Sequence, residues 1–314
     1  MTMPLDEWGG SDIWTWRTDD EAEDAMAGRV KRAKAEGDTY DTYREELGLA
    51  KLLGQAVARA GVIALKEYDK ITGLEGPKVT ARRTNDSRIL AELDKLDTVM
   101  RGAWTPSVDK AVSSYIGYIV NAGNKRAGGF AGFAKLPTRP LVEAGMVASA
   151  KYFTNNHFNR IIMPSITGDI LNKIQTGEGL DDTFFRAMRA KLATRLKSVP
   201  YWRLVANQAS SRAYHYGLTR AGLSLGYTGY RLDAVIDKAT TPVCRALDGK
   251  VFWLADAVQR LEKLARVTPK DIAAEAPWLT LEDVDGKDST QLSADGVQVP
   301  PFHANCRTTM SLVK

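Results

Sequence analysis

Asp237-Lys-Ala-Thr-Thr-Pro-Val-Cys244-Arg-Ala-Leu-Asp248-Gly249-Lys-Val-Phe252 and, later in the chain, Val299-Pro300-Pro301-Phe302-His303-Ala-Asn305-Cys306-Arg307 are the two segments on which the reading of this sequence turns. Together they hold both cysteines of the 314-residue chain and one of its three histidines. Each carries proline, and Pro300-Pro301 fixes two consecutive φ angles and predicts an extended approach to His303 and Cys306. Asp248-Gly249 predicts a tight turn of the kind that joins paired strands. The simplest arrangement is that the two segments meet and bring Cys244, His303 and Cys306 close together.

These residues resemble the C-terminal signature of the phage Mu F-like head morphogenesis family of minor head proteins, which runs roughly D-x-x-T-C-P-x-C-x-x-L-D-G and then P-P-x-H-x-x-C-R-C. Asp237, Thr240, Pro242, Cys244, Leu247, Asp248 and Gly249 match the first half, and Pro300, Pro301, His303, Cys306 and Arg307 the second. Thr241 and Thr308 stand where the family often has cysteines. The resemblance takes in the preceding helices, where Gln208-Ala-Ser-Ser-Arg212 replaces the Arg-Thr-Glu usual in the family. It implies a tailed-phage minor head protein that enters the procapsid, associates with the portal vertex and contacts or accompanies DNA.

Several chemistries fit the Cys/His element. Thiolates and an imidazole are the ligand types of a tetrahedral zinc site. With threonine at two of the family's cysteine positions, Cys244, His303 and Cys306 are weak metal candidates. No cofactor is expected, zinc being the one these residue types would suit. A Cys244–Cys306 disulfide runs against assembly in a reducing cytoplasm. The reading favoured by the sequence is structural: both thiols act as small buried groups and His303 makes a satisfied hydrogen bond. Asp248, Gly249 and Arg307 belong to the same element. The rival is a metal-assisted nuclease or transferase using His303 as base with Asp237 or Asp248. No nucleophile motif, phosphate-binding glycine loop or carboxylate cluster accompanies those residues, so a non-enzymatic protein with no catalytic residue is expected.

Hydrophobic content of 44% and charged content of 26% are those of an ordinary soluble protein. The N-terminal residues lack the apolar core of a signal peptide, and no unbroken apolar run of about eighteen residues is present, so no membrane partner is expected. The net charge of +5 conceals segregation. Residues 1–30 carry eight acidic side chains against Arg17 and Arg29, whereas residues 183–231 carry nine Lys or Arg and no acid. Blocks of this kind suit docking to charged partners or to double-stranded DNA.

Residues 1–30 read as an acidic arm whose Trp8, Trp14 and Trp16 anchor to a partner or to the body of the protein. Residues 31–225 read as a helical body, with apolar stripes at helical spacing through Leu49, Leu53, Val57 and Ala64 and again through Val108, Val112, Ile116 and Ile119. Residues 123–140 read as a basic Gly/Phe loop. Its Lys125, Arg126, Phe130, Phe133 and Lys135, with Arg186, Arg189 and Lys197 further on, are the candidate contacts to nucleic acid or portal. After Gly226 the period drops to two, predicting strands at 230–237, 251–253 and 308–313. Residues 226–314 thus form a small C-terminal domain, with an inserted helix and acidic loops at 254–299.

The fold class expected is α+β: a long, mostly helical body followed by a small antiparallel sheet. The role implied by the resemblance is structural, inside the virion head near the portal vertex and in the host cytoplasm during assembly. Portal protein, other capsid subunits and DNA are the partners it implies.

Overall fold

The computed structural model describes residues 42–72, 74, 86–128, 140–157, 162–176, 180–196, 199–304 and 306–314. Seven long helices come first among them: α1 (Thr42–Thr72), α2 (Asp86–Arg101), α3 (Pro106–Gly128), α4 (Pro140–His157), α5 (Met163–Gln175), α6 (Asp182–Leu196) and α7 (Val199–Ser224). Then follow β1 (Gly229–Asp233), α8 (Pro242–Leu247), β2 (Val251–Trp253), α9 (Leu254–Arg266), α10 (Ile272–Glu275), α11 (Ser289–Ala294) and β3 (Thr309–Val313). The α+β expectation holds, with a three-stranded antiparallel sheet near the C-terminus. The arm with Trp8, Trp14 and Trp16, the loop residues Phe130, Phe133 and Lys135, and Lys197 lie outside the described residues.

The described chain forms two compact units. One is built from residues 112–150 and 203–314 with the start of α1, the other from 50–111 and 151–202. In the first, α7 is buried or half-buried on every side from Tyr201 to Gly222, and residues 213–219 are buried without a break. A helix of that kind belongs in the middle of a core. Several of its polar side chains find partners inside: Asn207 Nδ2 donates to Glu46 Oε2 at 3.1 Å, and Thr219 Oγ1 to the His215 carbonyl at 2.7 Å, while Ser210 Oγ finds none among the described residues. Burial pushes the pKa of Arg212 down to about 10, and the positive charge of Arg260 adds to the effect.

Close backbone approach locks α3 to α7. A Cβ on Gly123 would overlap the Tyr214 carbonyl, and one on Gly217 would overlap the Val120 carbonyl. The loop expected from Gly123 is therefore corrected, because α3 continues to Gly128. Gly123 is a point of contact rather than a helix breaker, and the burial it permits outweighs its low helical propensity. Lys125 and Arg126 consequently sit exposed in the last helical turn, where the helix dipole favours cations.

The same unit carries the sheet, in the order β2-β1-β3. Tyr230 and Leu232 are buried while Arg231 is exposed, as a half-buried strand requires. Tyr230 stacks on Phe252 across the β1–β2 pair and donates from its hydroxyl to the Gln298 carbonyl at 2.5 Å. Leu254, Ala257, Leu261 and Leu264 form the buried stripe of α9. Gly222 of α7 lies against Leu254 and Leu312, so packing continues across the domain boundary that the sequence places near residue 225. The 254–299 segment is pinned along its length. Arg260 pairs with Glu275, Asp288 and Gln291 form a capping box on α11, and Ile272, Val284, Leu292 and Val297 are buried.

In the second unit, Asp181 caps α6 by accepting from the Phe184 amide at 2.8 Å. The buried Tyr68 hydroxyl donates to the Phe185 carbonyl, and Arg189 Nε lies 2.5 Å from Asp69 Oδ1. The stretch Gly48–Thr72 of α1 has the length and mean hydropathy of a membrane span. Its Leu49, Leu53, Ala56, Val57, Ala60, Ala64 and Tyr68 are nonetheless buried, the pattern of a core helix.

Adding a methyl at the helix crossing is expected to cost stability. Gly217→Ala and Gly123→Ala should each lower the unfolding free energy by about 1–3 kcal/mol. Gly168→Ala in α5, where a Cβ meets nothing within 4 Å, should raise it by about 0.5–1 kcal/mol. Urea denaturation of the three variants checks the contrast.

Candidate functional site

Thr241-Pro242 starts a helix rather than continuing a turn. Thr241 accepts from the Cys244 amide at 3.3 Å as N-cap, and Pro242 occupies the first helical position. Cys244 therefore lies on α8, which the sequence reading did not foresee, although Ser/Thr-Pro ahead of an apolar pair is a helix-start signal. The α8 helix ends in the expected Asp248-Gly249 turn. The Lys250 amide donates to the Leu247 carbonyl at 3.2 Å, and Gly249 has φ +76°. Asp248 at φ −58°, ψ 133° completes a type II turn, whose third position requires a positive φ. The turn links α8 to β2, where a strand-to-strand link is expected from the sequence. Asp248 Oδ1 accepts from the Ala234 amide at 2.8 Å, tying the turn back to the end of β1.

The second segment arrives through Pro300-Pro301, joined by a cis peptide bond where an all-extended run is expected. The expected meeting of the two segments is found. Cys244 Sγ lies 2.9 Å from His303 Nε2 and 3.8 Å from Cys306 Sγ, and Thr308 Oγ1 donates to Cys244 Sγ at 3.1 Å. Both cysteines are free thiols, 4% and 3% exposed. His303 Nδ1 is 2.7 Å from the Ala304 carbonyl. A carbonyl only accepts, so Nδ1 carries a proton, and in the neutral ring Nε2 presents its lone pair to the sulfurs.

The electrostatics divide the two thiols. The hydrogen bond from Cys244, aided by His303, carries the Cys306 thiol well below its ordinary value, while the same hydrogen bond and burial push Cys244 up. Burial works against a charged His303, but the hydrogen bond and negative charge of Cys306 outweigh it and raise the imidazole.

Beside this cluster, Arg307 holds Asp237 with both terminal nitrogens, at 2.6 and 2.5 Å. Asp237 Oδ1 also accepts from the Ala239 amide at 2.9 Å, and Arg245 donates to the Asp237 carbonyl at 2.5 Å. The Arg307 hydrogen bonds, against a smaller opposing effect of burial, hold the Asp237 carboxyl far below the usual carboxylate range. Of the acids considered for the rival catalytic reading, Asp237 is thus engaged by Arg307 and Asp248 by a backbone amide. Of the contact candidates, Lys125, Arg126 and Arg186 are exposed, and Arg189 shares its charge with Asp69.

A carboxylate with a depressed folded-state pKa stabilises the fold above its unfolded value, near pH 4, and the contribution is lost as pH falls through the folded value. Thermal melts should therefore show wild-type stability declining below about pH 4. Asp237→Asn should be less stable at pH 7 and should lose less on acidification than the wild type.

Comparison with known proteins adds one finding. Residues 165–311 match the family described as Phage Mu protein F like protein. No curated protein and no solved structure matches the chain. The match begins in α5, runs through α6 and α7, and includes both Cys/His segments and most of β3. Over residues 165–311, just under half of the chain, the sequence is similar to the phage Mu F-like family, a likeness that suggests a protein of phage head morphogenesis.

Proposed function

We propose that this protein is a structural minor head component of a tailed phage, carried inside the head at the portal vertex and performing no chemistry there. One observation carries the reading: the family's signature residues are spent on one another. Asp237 is held by Arg307, Asp248 closes the end of β1, and both sulfurs are buried beside His303. A catalytic site needs an accessible acid, base or nucleophile aimed at substrate. This arrangement instead fastens two distant segments into a module, the requirement for a rigid docking part.

The proposed partners are the portal protein, neighbouring capsid subunits and packaged double-stranded DNA. Lys125 and Arg126, exposed at the C-terminal end of α3, are the described basic pair best suited to phosphates. The arm with Trp8, Trp14 and Trp16 is the proposed anchor to a neighbouring subunit.

Two measurements test this. Particles assembled with the portal and capsid proteins of the same phage should retain the chain and cross-link it to the portal. The purified protein should bind duplex DNA, and replacing Lys125 and Arg126 by alanine should reduce the slope of log affinity against log salt by about 2. Absence from assembled particles, together with a nucleic-acid cleavage activity that His303→Ala abolishes, would overturn the proposal in favour of the nuclease.

A further inference from the structure

Cys244, His303 and Cys306 come from α8 and from the loop before β3, and their ligand atoms all lie within 4.8 Å of one another. Two thiolates each about 2.3 Å from a tetrahedral ion stand about 3.8 Å apart. The sulfurs of Cys244 and Cys306 are separated by 3.8 Å. A disulfide would need them at about 2.05 Å and would need an oxidant.

The surroundings match a metal site as well as the ligands do. A metal-bound histidine nearly always donates its other ring N–H to a carbonyl or carboxylate, which fixes the tautomer and aims the free nitrogen. His303 does this through Nδ1 to the Ala304 carbonyl, and Nε2 faces Cys244. Thr308 donates to Cys244 Sγ, the kind of outer hydrogen bond that steadies a coordinated thiolate. Thr308 thus has a place in the arrangement although threonine is a poor ligand.

We propose that Cys244, Cys306 and His303 Nε2 bind one zinc ion, with Thr308 as a hydrogen-bond donor to the Cys244 ligand and a water molecule in the fourth position. On binding, both cysteines coordinate as thiolates and their protons pass to solvent. The ion replaces the hydrogen bond between Cys244 and His303, and that edge widens from 2.9 Å to the roughly 3.5 Å of a tetrahedral site. Two thiolates and a neutral imidazole balance the charge of the ion, which suits a site with buried sulfurs. The site bridges the two signature segments, so the ion acts as a cross-link between them. The proposal stands apart from the portal and DNA contacts above and is tested without them.

The test uses the full-length protein purified from zinc-supplemented culture and, after removal of metal, titrated with cobalt(II). About one zinc per chain is expected, with a lower melting temperature after chelation. Cobalt should give the intense ligand-field bands of a tetrahedral thiolate site with sulfur-to-cobalt charge transfer. Thr308→Val should keep that spectrum and weaken metal affinity about 10- to 100-fold, while Cys306→Ser should lose the bound metal. Should Cys306→Ser fail to fold, the wild-type zinc content and cobalt spectrum decide alone. A chain that carries no zinc and gives only octahedral cobalt bands, or that contains a Cys244–Cys306 disulfide, overturns the proposal.

Discussion

Arg307 closes both of its terminal nitrogens on the carboxylate of Asp237, and with that grip two segments 70 residues apart become one piece of structure. Drawing distant parts of a chain together costs conformational entropy that a single exposed ion pair does not repay. Here the pair is bidentate, the arginine is largely buried, and the acid is also held by the Ala239 amide. Next to it lie the two sulfurs and the imidazole. The pair joins the residues ahead of α8 to those that lead into β3.

The rest of that unit rests on a different economy of space. Around α7 the chain uses glycine to let helices touch backbone to backbone: Gly123 and Gly217 at the α3 crossing, and Gly145 against Ala265 where α4 meets α9. Bulkier residues there would bury more apolar area but hold the helices apart. The consequence is a helix whose polar groups must find partners inside the protein, as Asn207 does with Glu46.

Much of this was legible in the sequence, and the misses have physical causes. Periodicity located the long helices and all three strands, because each buries one face, but β1 ends at Asp233, four residues short of the expected 237, and Ile236 is exposed instead of continuing its buried face. The meeting of Cys244, His303 and Cys306 was legible as the simplest arrangement of two proline-bearing segments that hold both cysteines, and as what the resemblance implies. The α8 helix was missed: one short turn of helix leaves no periodicity, and only Thr241-Pro242 announces it. The helical continuation through Gly123 was missed because local propensity says nothing of a carbonyl on another helix. The tautomer of His303 and the Thr308 hydroxyl on Cys244 belong to tertiary geometry, and no reading of spacing supplies them.

The sheet order carries a consequence for how the chain comes together on the ribosome. The β1 strand occupies the centre of the sheet yet is synthesised before both neighbours, and its residue Gly229 pairs with Val313. The β2 side forms from nearby sequence, while the β3 side waits for the whole intervening stretch to emerge. Pairings that span so much chain are slow to form, and a half-covered strand with Tyr230 and Leu232 on its face is liable to stick to other chains in the interval. The helices of the nascent protein therefore have time to settle before the module that fastens the C-terminal region can close.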